Sequence, residues 1–259
     1  MHNKTRTRLW WAAIATALAM LVCGIASAQG DASALLAIVT DSAWTPAKLG
    51  PGAWYQGEYD AIDSSGNWNN GSWVGTPAYT NGQIGQALSF SGSSAVTPST
   101  FETTAGDFSI SAWIKTTVSA GIITITGASS SSTTPGCWVT VSSGKLYIRF
   151  TDSTPYRVNL ITGGTYSDAT WHHVVVVAKR TSLLTVYVDG FSVASESISS
   201  ATNTVPYAKF IGAEAGSSIT YGFDGAIDDL QTYSRALTPA EITKLYTESV
   251  KQAAKGTAW

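Results

Sequence analysis

Residues 171–197 constrain the fold of this chain more than any other segment, because they predict three consecutive antiparallel strands. Residues 174–178 form a continuous run dominated by β-branched side chains, as in a strand whose two faces are both covered. In Leu183–Val188 apolar and polar residues alternate, which is typical of a strand with one face in a core. Asp189-Gly190 then supplies the two positive-φ positions of a type I′ turn, so a hairpin is expected there.

Further short strands are spaced along the rest of the chain. They are expected at 54–59, 86–90, 107–115, 122–125, 137–141, 145–150, 157–161, 209–212 and 226–233. Charged residues make up only 12% of the chain while Ser, Thr and Gly are abundant, which suits an extracellular all-β domain rich in turns. The sequence therefore predicts an all-β fold, a two-sheet antiparallel jelly-roll β-sandwich.

One short helix is expected near the C-terminus. Thr238 can act as its N-cap, Pro239 occupies the first helical position and Glu241 is the capping-box partner. The predicted organisation is a sandwich domain at 50–248, preceded at 29–49 by a linker or a docked segment. Residues 249–259 are expected to form a frayed tail or an extension.

The first residues of the chain have the pattern of a secretory signal peptide. Three basic residues precede an uncharged apolar run at 9–25, and the small-x-small pattern of 26–28 follows it. We expect residues 1–28 to be removed by cleavage between Ala28 and Gln29, which places the mature protein in the extracellular space or the periplasm. The alternative is an uncleaved membrane anchor, because the apolar run approaches spanning length.

Charge and cysteine content exclude several function classes. Without residues 1–28 the chain keeps 12 basic against 17 acidic residues, and no basic stretch could neutralise a row of phosphates, so nucleic acid is not an expected partner. No membrane partner is expected after cleavage either. Cys137 would be left without a disulfide partner. Zinc is not expected, since His172 and His173 would point to opposite faces of one strand.

Several segments, taken in order, resemble a known family. They read DSSGN at 63–67, GQIGQALSFSG at 82–92, FSISAWI at 108–114, WHHV at 171–174, VYVDG at 186–190 and FDGAIDDL at 223–230. Together they are similar to the laminin G-like domains of the concanavalin A-like lectin/glucanase superfamily, in their bacterial secreted form, over residues 50–247. The resemblance implies a jelly roll of two antiparallel sheets, one of them concave. It also implies a non-catalytic module that binds carbohydrate or protein, and many such modules bind calcium.

A structural Ca²⁺ site is the cofactor that the resemblance implies. Calcium takes six to eight oxygen ligands, and the family points to the first acid of the Ile-Asp-Asp-Leu match, Asp228. Glu58, Asp60 and Asp63 could complete the site if the first and last strands pair. Alternatively, Asp228 caps backbone amides at a bulge and Asp63 forms an Asx-turn.

The same acidic residues allow a catalytic alternative. Glu58, Asp60 and Asp63 resemble the E-x-D-x-x-E signature of the laminarinase-type glycoside hydrolases, in which two carboxylates act as nucleophile and acid/base. Strand alternation would put Glu58 and Asp60 on one face. The final acid is Asp rather than Glu, however, and the motif lies near the N-terminus, so a non-catalytic module is preferred over a glucanase-type hydrolase.

A candidate sugar-binding surface combines aromatic and amide side chains within one loop. Trp68 and Trp73 flank Asn69 and Asn70, and sugar sites use aromatic rings together with planar polar groups. Further loop aromatics are Tyr156, Tyr166 and Tyr221. Alternatively, these rings fold back over the sandwich edge. We therefore expect a glycan or surface polysaccharide as the partner, with a structural or adhesive protein that binds another surface protein as the second hypothesis.

Overall fold

A computed structural model describes residues 44–99, 102–120, 122–127, 135–152, 157–180, 182–199, 205–207, 209–214, 219 and 221–259. The chain divides into two units, Met1–Trp44 and Thr45–Trp259. In the first unit only Trp44 is described, so the expected signal peptide at 1–28 lies outside the described residues. Tyr156, one of the candidate sugar-binding residues, also lies outside the described residues.

The described part of the second unit is built of strands and one α-helix. The strands are β1 (Ala53–Tyr55), β2 (Gly71–Val74), β3 (Tyr79–Asn81), β4 (Gln86–Ser91), β5 (Ala95–Pro98), β6 (Glu102–Thr104), β7 (Phe108–Lys115), β8 (Ile122–Gly127), β9 (Gly136–Ser142), β10 (Lys145–Thr151), β11 (Arg157–Ile161), β12 (His172–Ala178), β13 (Leu183–Val188), β14 (Phe191–Ser197), β15 (Val205–Tyr207), β16 (Phe210–Ile211) and β17 (Asp224–Tyr233). The helix α1 spans Pro239–Lys255, and a short 3-10 helix spans Pro46–Leu49.

The strands form two large antiparallel sheets. The eight-stranded sheet has the order β14-β13-β12-β7-β17-β4-β3, with β1 also paired to β17. The seven-stranded sheet has the order β11-β10-β9-β8-β16-β5-β2, and β6 and β15 form a separate pair. This arrangement confirms the predicted two-sheet antiparallel sandwich, and α1 follows its last strand.

The central hairpin has the predicted geometry. Asp189 and Gly190 have φ values of 51° and 85°, as a type I′ turn requires. Strand β12 pairs with β13 through Val174 opposite Val188, and β13 pairs with β14 with a register shift after Val186. Although β12 is central, β14 is the edge of its sheet.

The core lies between the two sheets. Leu184 and Val186 of β13 face inward from one sheet, and Ile148 and Phe150 of β10 face inward from the other; all four are buried. Cys137 is also in this cluster, and burial raises the pKa of its thiol to about 12. Each large apolar side chain contributes about 1.5–3 kcal/mol when buried, so this shared core is the main source of stability.

The helix and the segment before it cover part of the outer face of the eight-stranded sheet. The Ser109 hydroxyl donates to the Arg235 carbonyl (2.9 Å) and accepts from the Leu237 amide (2.9 Å). The Trp113 ring stacks on Tyr246 of α1 with centroids 5.7 Å apart. This cover explains why the serine-bearing side of β7 is as buried as its apolar side.

The helix begins as predicted but is longer. Thr238 and Glu241 form both hydrogen bonds of the capping box, and Ile242 and Leu245 are buried. The helix continues to Lys255, so most of the expected tail is a helical extension. Among the described residues, no helix combines the length and the apolar character needed to span a bilayer.

The first strand was expected at 54–59, but β1 ends at Tyr55, so the prediction is wrong for residues 56–59. Gly57 has a φ of 80° and passes so close to β4 that a Cβ would lie 2.9 Å from the Leu88 amide nitrogen. Tyr59 then has a φ of 62°, which is incompatible with an extended strand. Glu58 and Asp60 therefore do not share a strand face, and the pairing assumed for catalysis is absent.

Candidate functional site

The loop between β1 and β2 is organised by one buried carboxylate, that of Asp63. Its Oδ1 accepts from the backbone amides of Trp54 (2.8 Å) and Ser65 (2.9 Å). Its Oδ2 accepts from the Asn69 amide (2.9 Å) and from the Ser65 hydroxyl (2.8 Å). Four donors occupy this carboxylate, so Asp63 fixes the loop, as the Asx-turn alternative expected.

Trp68 projects from this fixed loop into solvent. Its side chain is the most exposed large apolar group of the described residues, at 82%, and its backbone has a φ of 63°. The Asn67 amide donates to the carbonyl of Pro51 (3.0 Å), and the Tyr55 hydroxyl donates to the Asn69 carbonyl (2.6 Å). Both neighbours of Trp68 are therefore anchored while its ring is free to contact a ligand.

The two amide residues after Trp68 have different environments. Asn69 is buried and its side-chain nitrogen donates to the Gly52 carbonyl (3.3 Å). Asn70 is exposed, and its Oδ1 accepts from the Asp63 amide (3.1 Å), which orients the amide plane. Of the pair, only Asn70 is exposed at the surface.

The other aromatic candidates lie elsewhere. Trp73 is half-buried, with its ring 5.3 Å from Phe90 and its indole N–H donating to the Tyr79 hydroxyl (3.2 Å). Tyr166 is buried in the core cluster. Tyr221 is 51% exposed with a φ of 49°, and its carbonyl accepts from Thr124 of the seven-stranded sheet. The structure therefore separates Trp68 from Trp73, which folds back over the sandwich edge.

Asp228 and Glu58 both contact the turn between β3 and β4. Asp228 is buried and its Oδ2 accepts from the Ile84 amide (2.9 Å), while Glu58 Oε1 accepts from the Gln86 amide (3.0 Å). The turn needs glycine here, because a Cβ on Gly85 would lie 2.0 Å from Glu58 Oε1. Glu58 and Asp228 therefore accept hydrogen bonds from backbone amides two residues apart at this turn.

The environment of Asp228 is unfavourable to a bare negative charge. Its Oδ1 is buried and has no hydrogen-bond partner among the described residues. Burial, followed by the negative charge of Asp229, holds the pKa of Asp228 well above its usual value, and Glu58 adds to the effect. This carboxylate is therefore suited to receive either a proton or a cation.

The other predicted metal ligands do not join this site. Asp60 uses its Oδ1 to accept from the Ile62 amide (3.1 Å), and Asp63 is occupied in the loop described above. Within the described ranges, no group of three or more His, Cys, Asp or Glu side chains is arranged to hold a metal ion. A cation at Asp228 and Glu58 would need backbone or water oxygens for its remaining ligands.

Asp229 is a buried acid that the sequence did not single out. It accepts hydrogen bonds from the indole N–H groups of Trp54 and Trp259. Burial raises its pKa to about 6, although these donors oppose the shift. The only signal in the sequence was its place beside Asp228, and its partners lie far away along the chain.

His172 is held between two carboxylates at the end of the central hairpin. Its Nδ1 contacts Asp189 Oδ2 (2.9 Å) and its Nε2 contacts Asp168 Oδ1 (3.2 Å) and the Thr170 hydroxyl (3.1 Å). The Asp189 hydrogen bond is the main cause that raises the pKa of His172. The Thr170 hydroxyl donates a hydrogen bond to Asp168 (2.7 Å), so the cluster is a hydrogen-bonded network and not an activated nucleophile.

The family profile described as the concanavalin A-like lectin/glucanases superfamily, in its laminin G form, matches residues 90–243. This match covers more than half of the chain, so the protein belongs to that superfamily, as its motifs and its two sheets indicate. No curated protein sequence matches the chain.

Several solved structures have a similar fold. The binding domain of Paraclostridial Mosquitocidal Protein 1 has a TM-score of 0.65 and 19% identity, covering 78% of this chain and 53% of that one. Domain 4 of AbnA, a GH43 extracellular arabinanase from Geobacillus stearothermophilus solved with arabinotriose, has a TM-score of 0.57 and 22% identity, covering 76% and 98%. The ligand binding domain of botulinum neurotoxin serotype D, solved with N-acetylneuraminic acid, has a TM-score of 0.58 and 19% identity, covering 77% and 51%.

These identities establish a common fold alone. The chain spans about half the length of the two toxin domains and nearly all of the arabinanase domain. The family match and the fold together place the protein among the concanavalin A-like jelly rolls.

Proposed function

We propose that the protein is a secreted, non-catalytic module that binds carbohydrate through Trp68. The observation that carries this proposal is the exposure of the Trp68 ring, 82%, on a loop whose backbone is anchored on both sides. An exposed tryptophan on a fixed loop offers a flat apolar face with little loss of entropy on binding. The proposal of secretion rests on the apolar run at 9–25 and the small residues that follow it.

The groups around Trp68 suit a sugar better than a fully apolar ligand. An aromatic face can pack on the C–H groups of a sugar ring, and polar groups beside it can bond the hydroxyls. Asn70, two residues after Trp68 in the same loop, has an exposed amide whose Oδ1 accepts from the Asp63 amide. Two structural neighbours were solved with glycans, arabinotriose and N-acetylneuraminic acid, which supports a saccharide as the ligand class.

A non-catalytic role is supported by the positions of the acidic residues. Retaining hydrolysis needs two free carboxylates about 5 Å apart across the scissile bond. Asp63 is saturated by four donors, and Asp60 lies in a bend after the end of β1. Asp60 and Asp63 of the glucanase-like pattern therefore accept hydrogen bonds that stabilise the loop between β1 and β2.

We also propose that Ca²⁺ binds where Asp228 and Glu58 meet the β3–β4 turn. The buried, unpartnered Asp228 Oδ1 and the raised pKa of that carboxyl support the proposal, because a cation would satisfy both. Asp228 and Glu58 would supply side-chain oxygens. The ion would stabilise the sheet and would carry out no chemistry.

Substitution of Trp68 tests the carbohydrate proposal. Binding of arabino-oligosaccharides and sialylated oligosaccharides would be measured by isothermal titration calorimetry for the unaltered protein, Trp68→Ala and Phe191→Ala. We expect Trp68→Ala to weaken binding about tenfold, which corresponds to about 1.4 kcal/mol and is typical of one aromatic contact. Phe191→Ala is the matched control, because Phe191 is 75% exposed on the β13–β14 hairpin, away from the loop.

Unchanged affinity in Trp68→Ala would refute the role of this ring. Absence of binding to every saccharide on a broad glycan array, by a folded protein with and without calcium, would refute the carbohydrate proposal itself.

A further inference from the structure

A polar pocket lies on the outer face of the eight-stranded sheet, at the end away from α1. Its centre is a row of three residues on adjacent strands, in which Ala226 of β17 lies between Ser89 of β4 and Lys115 of β7. Directly paired residues of antiparallel strands share a face. The next row contains Ile227, which is in the core, so the row of Ala226 faces away from the core.

The depth of the pocket comes from small residues on β17. Ala226 and Gly225 form its floor, and its volume is about 300 Å³. Gly225 has a φ of 145°, and a Cβ there would lie 2.2 Å from the Lys115 carbonyl oxygen, so the strands can approach this closely only with glycine. This volume is at the small end of the range for ligand pockets and suits one sugar ring.

The wall between β7 and β17 is fixed by Thr116. Its hydroxyl donates to the Asp224 carbonyl (2.6 Å) and accepts from the Val118 amide (3.0 Å). Asp224 and Lys115 both line the pocket, and neither takes part in the ion pairs of the described residues. Two exposed side chains of opposite charge therefore line one concave surface without forming an ion pair with each other.

We infer that this pocket binds one neutral monosaccharide unit. A carboxylate such as Asp224 can accept from two adjacent sugar hydroxyls in charge-assisted hydrogen bonds, and the Lys115 ammonium can donate to others. The hydroxyls of Thr80 and Ser89 and the amide of Asn81 line the remaining walls and can both donate and accept.

Other ligand classes fit the pocket less well. An anionic sugar would bring a second carboxylate into a pocket that already holds Asp224, with the single ammonium of Lys115 to balance both, and an apolar ligand would cover charged groups without bonding them. The inference rests on the proposed carbohydrate function and adds to it a second site, whose residues are separate from the Trp68 loop. A saccharide chain could thus be held at two points.

The test is a titration of the ¹⁵N-labelled protein with L-arabinose, D-galactose, D-glucose, D-mannose and N-acetylneuraminic acid. With at least one neutral sugar, we expect amide shifts at Ser89, Lys115 and Ala226, with an affinity in the millimolar range. N-acetylneuraminic acid should leave these amides unmoved.

Asp224→Asn should weaken binding at least tenfold, and Ala226→Val, which fills the floor with a residue favoured in strands, should abolish it. Glu196→Gln on the β14 edge is the control for charge.

The outcomes separate this inference from the Trp68 proposal. Binding of a monosaccharide that persists in Trp68→Ala but is lost in Asp224→Asn supports the pocket. Oligosaccharide binding that depends on Trp68, with no sugar shifting the pocket amides, refutes the pocket and leaves the proposed function standing. If N-acetylneuraminic acid is the only sugar that shifts the pocket amides, the neutral-sugar inference is wrong. If no saccharide binds anywhere, both are wrong.

Discussion

Asp228 and Asp229 are adjacent buried carboxylates that differ in their hydrogen bonding. Asp229 has two indole donors, whereas the Oδ1 of Asp228 has no partner. A buried polar atom without a hydrogen bond costs about 1–3 kcal/mol. Because the pKa of Asp228 is higher in the folded protein than its usual value of 3.8, the cation-free protein should lose stability as the pH rises through that folded pKa.

Replacement of Asp228 by Asn should leave the protein at least as stable in the absence of calcium, but less stable than the unaltered protein in its presence. In EDTA at neutral pH, Asp228→Asn should unfold at the same temperature as the unaltered protein or higher, because the buried charge is removed. With Ca²⁺ at about 100 times its Kd, the unaltered protein should gain about 2.7 kcal/mol while the variant gains nothing. Thermal unfolding followed by circular dichroism would measure both, with Glu196→Gln as the control. An equal gain in the variant would show that calcium does not bind at Asp228.

At the scale of elements, β17 contributes most to the candidate sites. Ile227 and Leu230 both face the core although they are three residues apart, which simple strand alternation forbids. A register shift between Asp228 and Gln231, with Asp229 at a φ of 51°, restores the inward direction of Leu230. Asp228 lies in the regular part of the strand just before the bulge, so alternation after Ile227 directs it to the outer face, against the β3–β4 turn, while the start of the strand forms the pocket floor.

The capping box of α1 can be tested by itself. Thr238→Ala removes the side-chain oxygen that accepts from the Glu241 amide, and we expect a loss of about 1 kcal/mol in the free energy of unfolding. Urea denaturation would measure this loss. Thr243→Ala, at an exposed position within the helix, removes the same atoms without affecting a cap and should not destabilise. A loss as large in Thr243→Ala would contradict the assignment to the cap.

At the scale of the whole molecule, the second unit is one cooperative body. A single apolar cluster includes Val176 and Val186 of one sheet and Ile148 and Val139 of the other. If one sheet unfolded, the apolar inner face of the other would be exposed to water, which is unfavourable. We expect calorimetry in EDTA to show one transition for this unit, with equal van't Hoff and calorimetric enthalpies. Two separate transitions would show that the sheets unfold independently.

The sequence predicts most of the fold but only part of the site. The long strands were predicted because their apolar residues alternate or run continuously, and the hairpin because Asp-Gly requires a specific turn. The short strands β2 and β3 were missed, since three or four partly exposed residues carry no periodicity. Asp228 was identified through the family resemblance, whereas the pocket residues Ser89, Lys115 and Asp224 come from three strands and share no motif.

The amino-acid sequence by itself determined the all-β class, the central hairpin and the start of the helix, because each depends on neighbouring residues. Only the tertiary structure decided which side chains meet. Ile84 and Asp228 are 144 residues apart and are joined by strand register, and the bulge at Asp229 restores the inward direction of Leu230. Likewise, Trp68 and Trp73 are similar in sequence context, but they differ in packing. The Trp73 ring packs against Phe90 at the core, whereas the Trp68 ring is exposed to solvent. Register and packing are long-range properties, so residues 171–197 define the scaffold while the candidate sites depend on how distant segments meet.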